Sequence, residues 1–143
     1  MKLLSDTNVL LALVAECHSS HTEVLGWWEG QTKDSPIYVC RPVQMGLLRL
    51  MSSEAALGED AVTLSDAWAA YATLLASGRF AFSLEPQGID PLWERFCRPF
   101  RKSPKVVMDA YLAAFAKAGG YRLVTLDAAF VKFPDLDHEV IRG

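Results

Sequence analysis

Short strand-like runs, "KLLS", "PIYVC", "RFAFSL" and "YRLVTL", recur along the chain with helical stretches between them. This alternation constrains the fold more than any other feature. None of the runs switches cleanly between polar and apolar residues, so both faces of each strand need cover. Strands of that kind, joined by helices, form a parallel sheet between two helical layers. The sequence therefore predicts a three-layer α/β/α sandwich around a central, mainly parallel sheet of four to five strands. The fifth is an edge strand at "HEVI". A chain of 143 residues suits one domain, 1–143, and its 51% hydrophobic content supplies a core.

The helices carry their own punctuation. One runs from Thr7 to Ala15. The next, "SSHTEVLGWWEG", has Ser19 or Ser20 as cap and Gly30 as stop. "RPVQMGLLRLMSS" has Pro42 at its first position. "GEDA" reads as a loop, and "SDAWAAYATLLASG" as a helix from a Ser65 cap to Gly78. "IDPLWERFCRPF" has Asp90 as cap with Pro91 just inside. "SPKVVMDAYLAAFAKAGG" is the strongest helix, opened by Pro104 and closed by Gly119 and Gly120. "DAAFVKF" adds a short one.

Several function classes fall away. The net charge of −3 excludes a uniformly basic nucleic-acid binder but leaves room for a basic patch. Three dispersed cysteines, Cys17, Cys40 and Cys97, fit neither a disulfide framework nor a zinc knuckle. His18 and His21 form no recognised metal motif with their acidic neighbours. No apolar run is long enough to span a bilayer, and no secretion signal is recognisable, so a cytoplasmic protein with reduced thiols is expected. Phosphate-binding glycine loops are absent.

Acidic residues stand where chemistry is expected. Ligands of open parallel sheets collect beyond the carboxyl ends of the strands. "KLLSD" ends in Asp6 and "RLVTLD" in Asp127, while Asp109 lies early in the strongest helix beside the apolar stripe of Met108, Leu112 and Phe115. Asp6 and Asp127 also suit the N-cap role, and Asp109 alone could be an ordinary exposed helix residue. Taken together, converging carboxylates repel one another, and a divalent cation removes that cost. Oxygen ligands without His or Cys favour Mg²⁺ or Mn²⁺, and such an ion suits phosphodiester hydrolysis.

"LLSDTNVLLAL" and "MDAYLAAFAKAGGYRLVTLDAAF", with "SSHTEVLGWWE" and "CRPVQMGLLRLMSS" between them, resemble PIN domains, and within these the VapC ribonuclease toxins of toxin–antitoxin pairs. The resemblance covers nearly the whole chain. It implies a PIN-like fold and a metal-dependent endoribonuclease that leaves a 3′-hydroxyl and a 5′-phosphate. Asp6, Asp109 and Asp127 match the acids that hold Mg²⁺ or Mn²⁺ and carry catalysis. Asn8 and Thr125 match small polar residues beside the site. The resemblance also implies a small VapB-like antitoxin as partner and a homodimer. The sequence departs from the family pattern at Gly46, where a glutamate is usual, and at Ala129, where a second acid often stands. Gln44 is the nearest replacement donor of oxygen, though it brings no charge.

"RFCRPFRKSPK" carries Arg95, Arg98, Arg101, Lys102 and Lys105 and leads into the helix of Asp109. It reads either as a solvated face or as a contact for RNA phosphates. Phe96 and Phe100 either stack on bases or belong to the core. Trp27 and Trp28 point in different directions on their helix, so one is expected at the surface as an interface aromatic. The leading expectation is an RNA-cleaving toxin. The alternative is a catalytically weak or inactive PIN-like module that binds RNA or a protein partner. A third reading, an aspartyl-nucleophile phosphohydrolase, lacks the second aspartate that follows the nucleophile in such enzymes.

Overall fold

The structure is a computed structural model, and it describes residues 1–142. Five strands form one sheet: β1 (Lys2–Ser5), β2 (Ile37–Val39), β3 (Phe80–Phe82), β4 (Tyr121–Thr125) and β5 (His138–Val140). Their order is β3-β2-β1-β4-β5, and every pairing is parallel. The helices are α1 (Thr7–Val14), α2 (His21–Glu29), α3 (Arg41–Met51), α4 (Glu54–Leu57), α5 (Leu64–Ala76), α6 (Ile89–Cys97) and α7 (Pro104–Gly119). Two 3₁₀ turns, Gly58–Asp60 and Ala128–Lys132, complete the chain.

Chain order fixes the layers. The sheet grows outward from β1 to β2 to β3, then the chain returns past β1 to β4. Right-handed crossovers therefore put α1 to α5 on one face and α6 with α7 on the other. The packing agrees, with α1 touching α2 and α3, α3 touching α5, and α7 lying between α6 and β4. β4 explains why its sequence did not alternate. Leu123 and Val124 are both fully buried, one in a cluster with Phe115 and the other with Val9, Ala12 and Val24. Consecutive residues of a strand point to opposite faces, and both faces here are covered.

Local chemistry moves several boundaries. α5 is capped by Thr63, whose hydroxyl accepts from the Asp66 amide at 3.1 Å, so Ser65 lies inside the helix. α6 starts after Gly88, which has a φ of 76°, and Asp90 sits in its first turn instead of capping it. Pro42 is the second residue of α3, after Arg41. Ser20 precedes α2 but makes no capping bond; its amide donates to His18 Nδ1 at 3.0 Å. α4 and the first 3₁₀ turn replace the expected loop, with Ser53 Oγ accepting from the Ala56 amide.

The parallel arrangement brings the carboxyl ends of all five strands to one edge, where Asp6, Cys40, Ser83 and Leu126 follow β1 to β4. α7 crosses the face beside β1 and β4 and delivers its first turns to the same edge. Among the described residues, no helix is long and apolar enough to cross a membrane.

Leu123 sits at the centre of this packing and Val131 is 75% exposed. Leu123→Ala is expected to cost about 2–5 kcal/mol in urea unfolding, and Val131→Ala within about 0.5 kcal/mol of nothing.

Candidate active site

Asp6 is placed by the strand before it. Ser5 lies in register with Val124, and the Asp6 amide donates to the Val124 carbonyl at 2.9 Å, carrying the β1–β4 ladder one residue further. Asp6 is only 8% exposed. Its Oδ1 accepts from the Thr7 amide at 2.7 Å, and its Oδ2 accepts from the Thr125 hydroxyl at 2.7 Å. The same hydroxyl oxygen accepts from the Asp127 amide at 3.0 Å. Asp127 Oδ1 in turn accepts from the Ala129 amide at 2.9 Å. Thr125, fully buried, thus ties two acid-bearing turns together. Capping is real for both acids: Asp6 caps α1, and Asp127 caps the 3₁₀ turn that follows it.

Asp109 reaches the site from α7. It is half-buried, and Lys132 Nζ lies 3.5 Å from its Oδ2. Of the stripe beside it, Leu112 and Phe115 are buried in the core while Met108 is exposed. Burial is the main force that pushes the Asp6 carboxyl above its ordinary value. Hydrogen bonds from Thr125 and Thr7 oppose the shift, and the charges of Asp109 and Asp127 add to it. Burial also raises Asp109; Lys132 opposes, Asp127 adds, and Lys105 opposes weakly. The three carboxylates therefore share one electrostatic environment at the sheet edge. Neighbouring Cys40 is pushed up to about 11, chiefly by burial and slightly by Asp6.

The other expected residues divide. Thr125 donates to the Asp6 carboxylate and accepts from the Asp127 amide. Asn8 is exposed on the first turn of α1 and makes no side-chain hydrogen bond among the described residues. Gln44 is buried, but its Oε1 accepts from Arg41, whose guanidinium lies 4.5 Å from the Phe82 ring. At Gly46 a side chain would begin 3.0 Å from both Cγ2 and Oγ1 of Thr7, so Thr7 occupies the space a larger residue would need.

Arg95, Arg98, Arg101, Lys102 and Lys105 are all exposed. Arg98 is already paired with Glu94 one helical turn back. Phe96 is a core residue packed on Phe133, and Phe100 is half-buried against the same ring. Trp27 and Trp28 are both half-buried, and each has partners within the fold. Trp27 Nε1 donates to Glu139 at 3.0 Å, and Trp28 is stacked between Phe80 and the Arg79 guanidinium. The exposed tryptophan is Trp68 on α5. Lys132 is the site residue that sequence reasoning missed. Its only local signal is a lone cation five residues after Asp127.

The donor chemistry fits a hard divalent cation: three carboxylates and a hydroxyl, with no sulfur or imidazole. Burial and mutual repulsion are costs that such an ion relieves. As the side chains stand, no three acidic, His or Cys groups close around one point among the described residues. Asp109 lies beside Lys132, and Asp127 accepts from the Ala129 amide.

Comparison with known proteins converges on one family. A family model described as the PIN domain matches residues 3–136. Ribonuclease VapC41 of Mycobacterium tuberculosis is 40% identical over 139 residues, covering 94% of this chain and 95% of that protein. Among solved structures, one chain of VapBC2 from Rickettsia felis, bound to a DNA fragment from its promoter, superposes with a TM-score of 0.68. It has 16% identity over 99% of this chain and 100% of that one. The sarcin-ricin-loop-cleaving toxin VapC20 of Mycobacterium tuberculosis superposes at 0.66, with 17% identity over 91% and 93% of the two chains. The two structural likenesses carry the fold.

Raised carboxyl values favour the protonated site in the folded, cation-free protein. That contribution to stability is full below the ordinary carboxylate range and is lost as pH rises through the raised values of Asp6 and Asp109. In chelator, Asp109→Asn should therefore gain stability over wild type on going from about pH 4 to about pH 7, read by urea unfolding.

Proposed function

The chain belongs to the PIN-domain family, with a VapC ribonuclease among its relatives, and from that membership we propose that it is an endoribonuclease, the toxin of a toxin–antitoxin pair. The observation that carries this reading is Asp6, hydrogen-bonded on both oxygens and raised chiefly by burial, with Asp109 and Asp127 adding to the shift. Nothing in the architecture of the sheet requires three acids at one strand edge. A site that must gather a cation and a phosphodiester does.

Asp6, Asp109 and Asp127 would hold Mg²⁺ or Mn²⁺. Such an ion polarises the phosphoryl group and lowers the pKa of water for hydrolysis. The chain's own residues supply order. The Thr7 amide and the Thr125 hydroxyl each take one Asp6 oxygen, which fixes the carboxylate plane while leaving lone pairs free. Thr125 also pins the Asp127 backbone, so two ligand-bearing turns move as a unit. Arg101, Lys102 and Lys105, all exposed at the entry to α7, provide contacts for the RNA backbone.

The partner in this reading is a small VapB-like antitoxin, as the VapBC pairing of the Rickettsia felis structure suggests by analogy. A homodimer of one PIN-like domain per chain, working in the cytoplasm, completes it. Leu64 and Trp68 on α5, with Val107 and Met108 on α7, are exposed apolar side chains suited to protein contacts. The second reading, a silent RNA-binding module, draws on Gly46 and on Lys132 lying against Asp109.

The purified chain, freed of any antitoxin, should cleave single-stranded and structured RNA with Mg²⁺ or Mn²⁺ and not with chelator. Asp6→Asn should abolish cleavage, and Thr125→Val should reduce it about 10–100-fold, the usual loss when a ligand's orienting partner is removed. RNA binding without cleavage in either metal would instead establish the silent module.

A further inference from the structure

We propose that Lys132 is a phosphate-contacting residue of the site: its ammonium leaves Asp109 and takes a non-bridging oxygen of the bound RNA. The proposal rests on the nuclease reading above and adds a residue to it. Three features of Lys132 support it.

The contact with Asp109 is loose. Strong ammonium–carboxylate bonds run about 2.7–2.9 Å, and this one is 3.5 Å. The two side chains are 28% and 25% exposed, so the pair is partly buried but still open to solvent. A structural ion pair would not need to be placed on a residue of the acid cluster.

The ammonium is held by several weak contacts and no tight one. Lys132 Nζ lies 5.4 Å from the Phe133 ring centroid and 5.8 Å from that of Phe100. Its backbone is in the 3₁₀ turn that Asp127 caps. The ammonium is thereby kept beside Asp109 without a tight bond to it. Lys132 also lines a cleft of about 520 Å³, with Arg95, Phe100, Lys117 and Asp135 among others. Arg95, Lys117 and Lys132 give that cleft three cations against the one carboxylate of Asp135. Lys132 thus belongs both to this basic cleft and, through Asp109, to the acid cluster.

The charge count points the same way. Three carboxylates carry three negative charges, and a divalent cation cancels two of them. An incoming phosphodiester adds one more. Lys132 is the cation in contact with the acid cluster. It serves as the counter-ion of Asp109 until a divalent cation takes that role, and is then available to the phosphate. No covalent bond forms or breaks at the lysine; it donates hydrogen bonds only.

The test compares wild type with K132Q and K132R, each checked first by urea unfolding. Mn²⁺ affinity is measured by calorimetry without RNA. Binding of a labelled single-stranded RNA is measured by anisotropy across a salt series with Ca²⁺ in place of Mn²⁺, and cleavage is measured separately in Mn²⁺. K132Q should bind Mn²⁺ several-fold more tightly, because a competing cation is gone. It should bind RNA several-fold more weakly, lower the log–log salt slope by about one, and lose at least about tenfold in kcat. K132R should retain RNA binding and the slope. Weaker Mn²⁺ binding by K132Q with unchanged RNA affinity and slope would overturn the proposal and leave Lys132 a structural partner of Asp109. RNA binding that depends on Lys132 in a protein that never cleaves would sink the nuclease reading alone. Failure of wild type to bind RNA at all would overturn both.

Discussion

The rest of the structure depends on one constraint, a carboxylate buried at the end of the central strand. Asp6 is 8% exposed and sits between two other acids. Burying such a group is costly unless its oxygens are satisfied. The fold meets that need with one backbone amide and one hydroxyl, and it can do so only because β1 and β4 are parallel neighbours in fixed register. A slip of one residue between them would carry the Thr125 hydroxyl away to the opposite face. The apolar runs that flank Asp6 are what hold that register, so core packing and site geometry are the same problem here.

Much of the fold was legible because its signals are local. The lack of clean polar/apolar alternation in "YRLVTL" predicts a strand covered on both faces, and Leu123 and Val124 pack into different clusters. The stop of α7 at Gly120 follows from a φ of 72° that glycine tolerates. Misplaced boundaries have a shared cause. Thr63 and Ser65 are both plausible caps, and only the observed bond to the Asp66 amide selects Thr63. α4 has four residues, too few for a periodic pattern to show in sequence.

The candidate site was legible where residues lie at strand ends and illegible where partners come from afar. Asp6 and Asp127 could be read because a parallel sheet sends its strand ends to one edge, whereas Thr125 was named only through the resemblance to PIN domains. Lys132 could not, because its meaning comes from Asp109, 23 positions earlier and on another element. The basic run looked uniformly free, yet Arg98 is paired with a glutamate just before it. Trp28 is half-buried, stacked on Phe80 with the Arg79 guanidinium over its ring, partners that only the tertiary fold supplies. Gly46 reads in sequence as a lost acid; in the structure it is a position against which Thr7 is packed.

The central claim is that Asp6, Asp109 and Asp127 act as one cation site although their side chains hold other partners in the cation-free protein. The most direct measurement is an NMR titration with Mn²⁺, which broadens signals near the bound ion. The account requires signals of all three aspartates to broaden together at substoichiometric Mn²⁺, with those of Asp34 and Asp66 unaffected. Broadening confined to one of the three, or spread over the acidic surface, would contradict it.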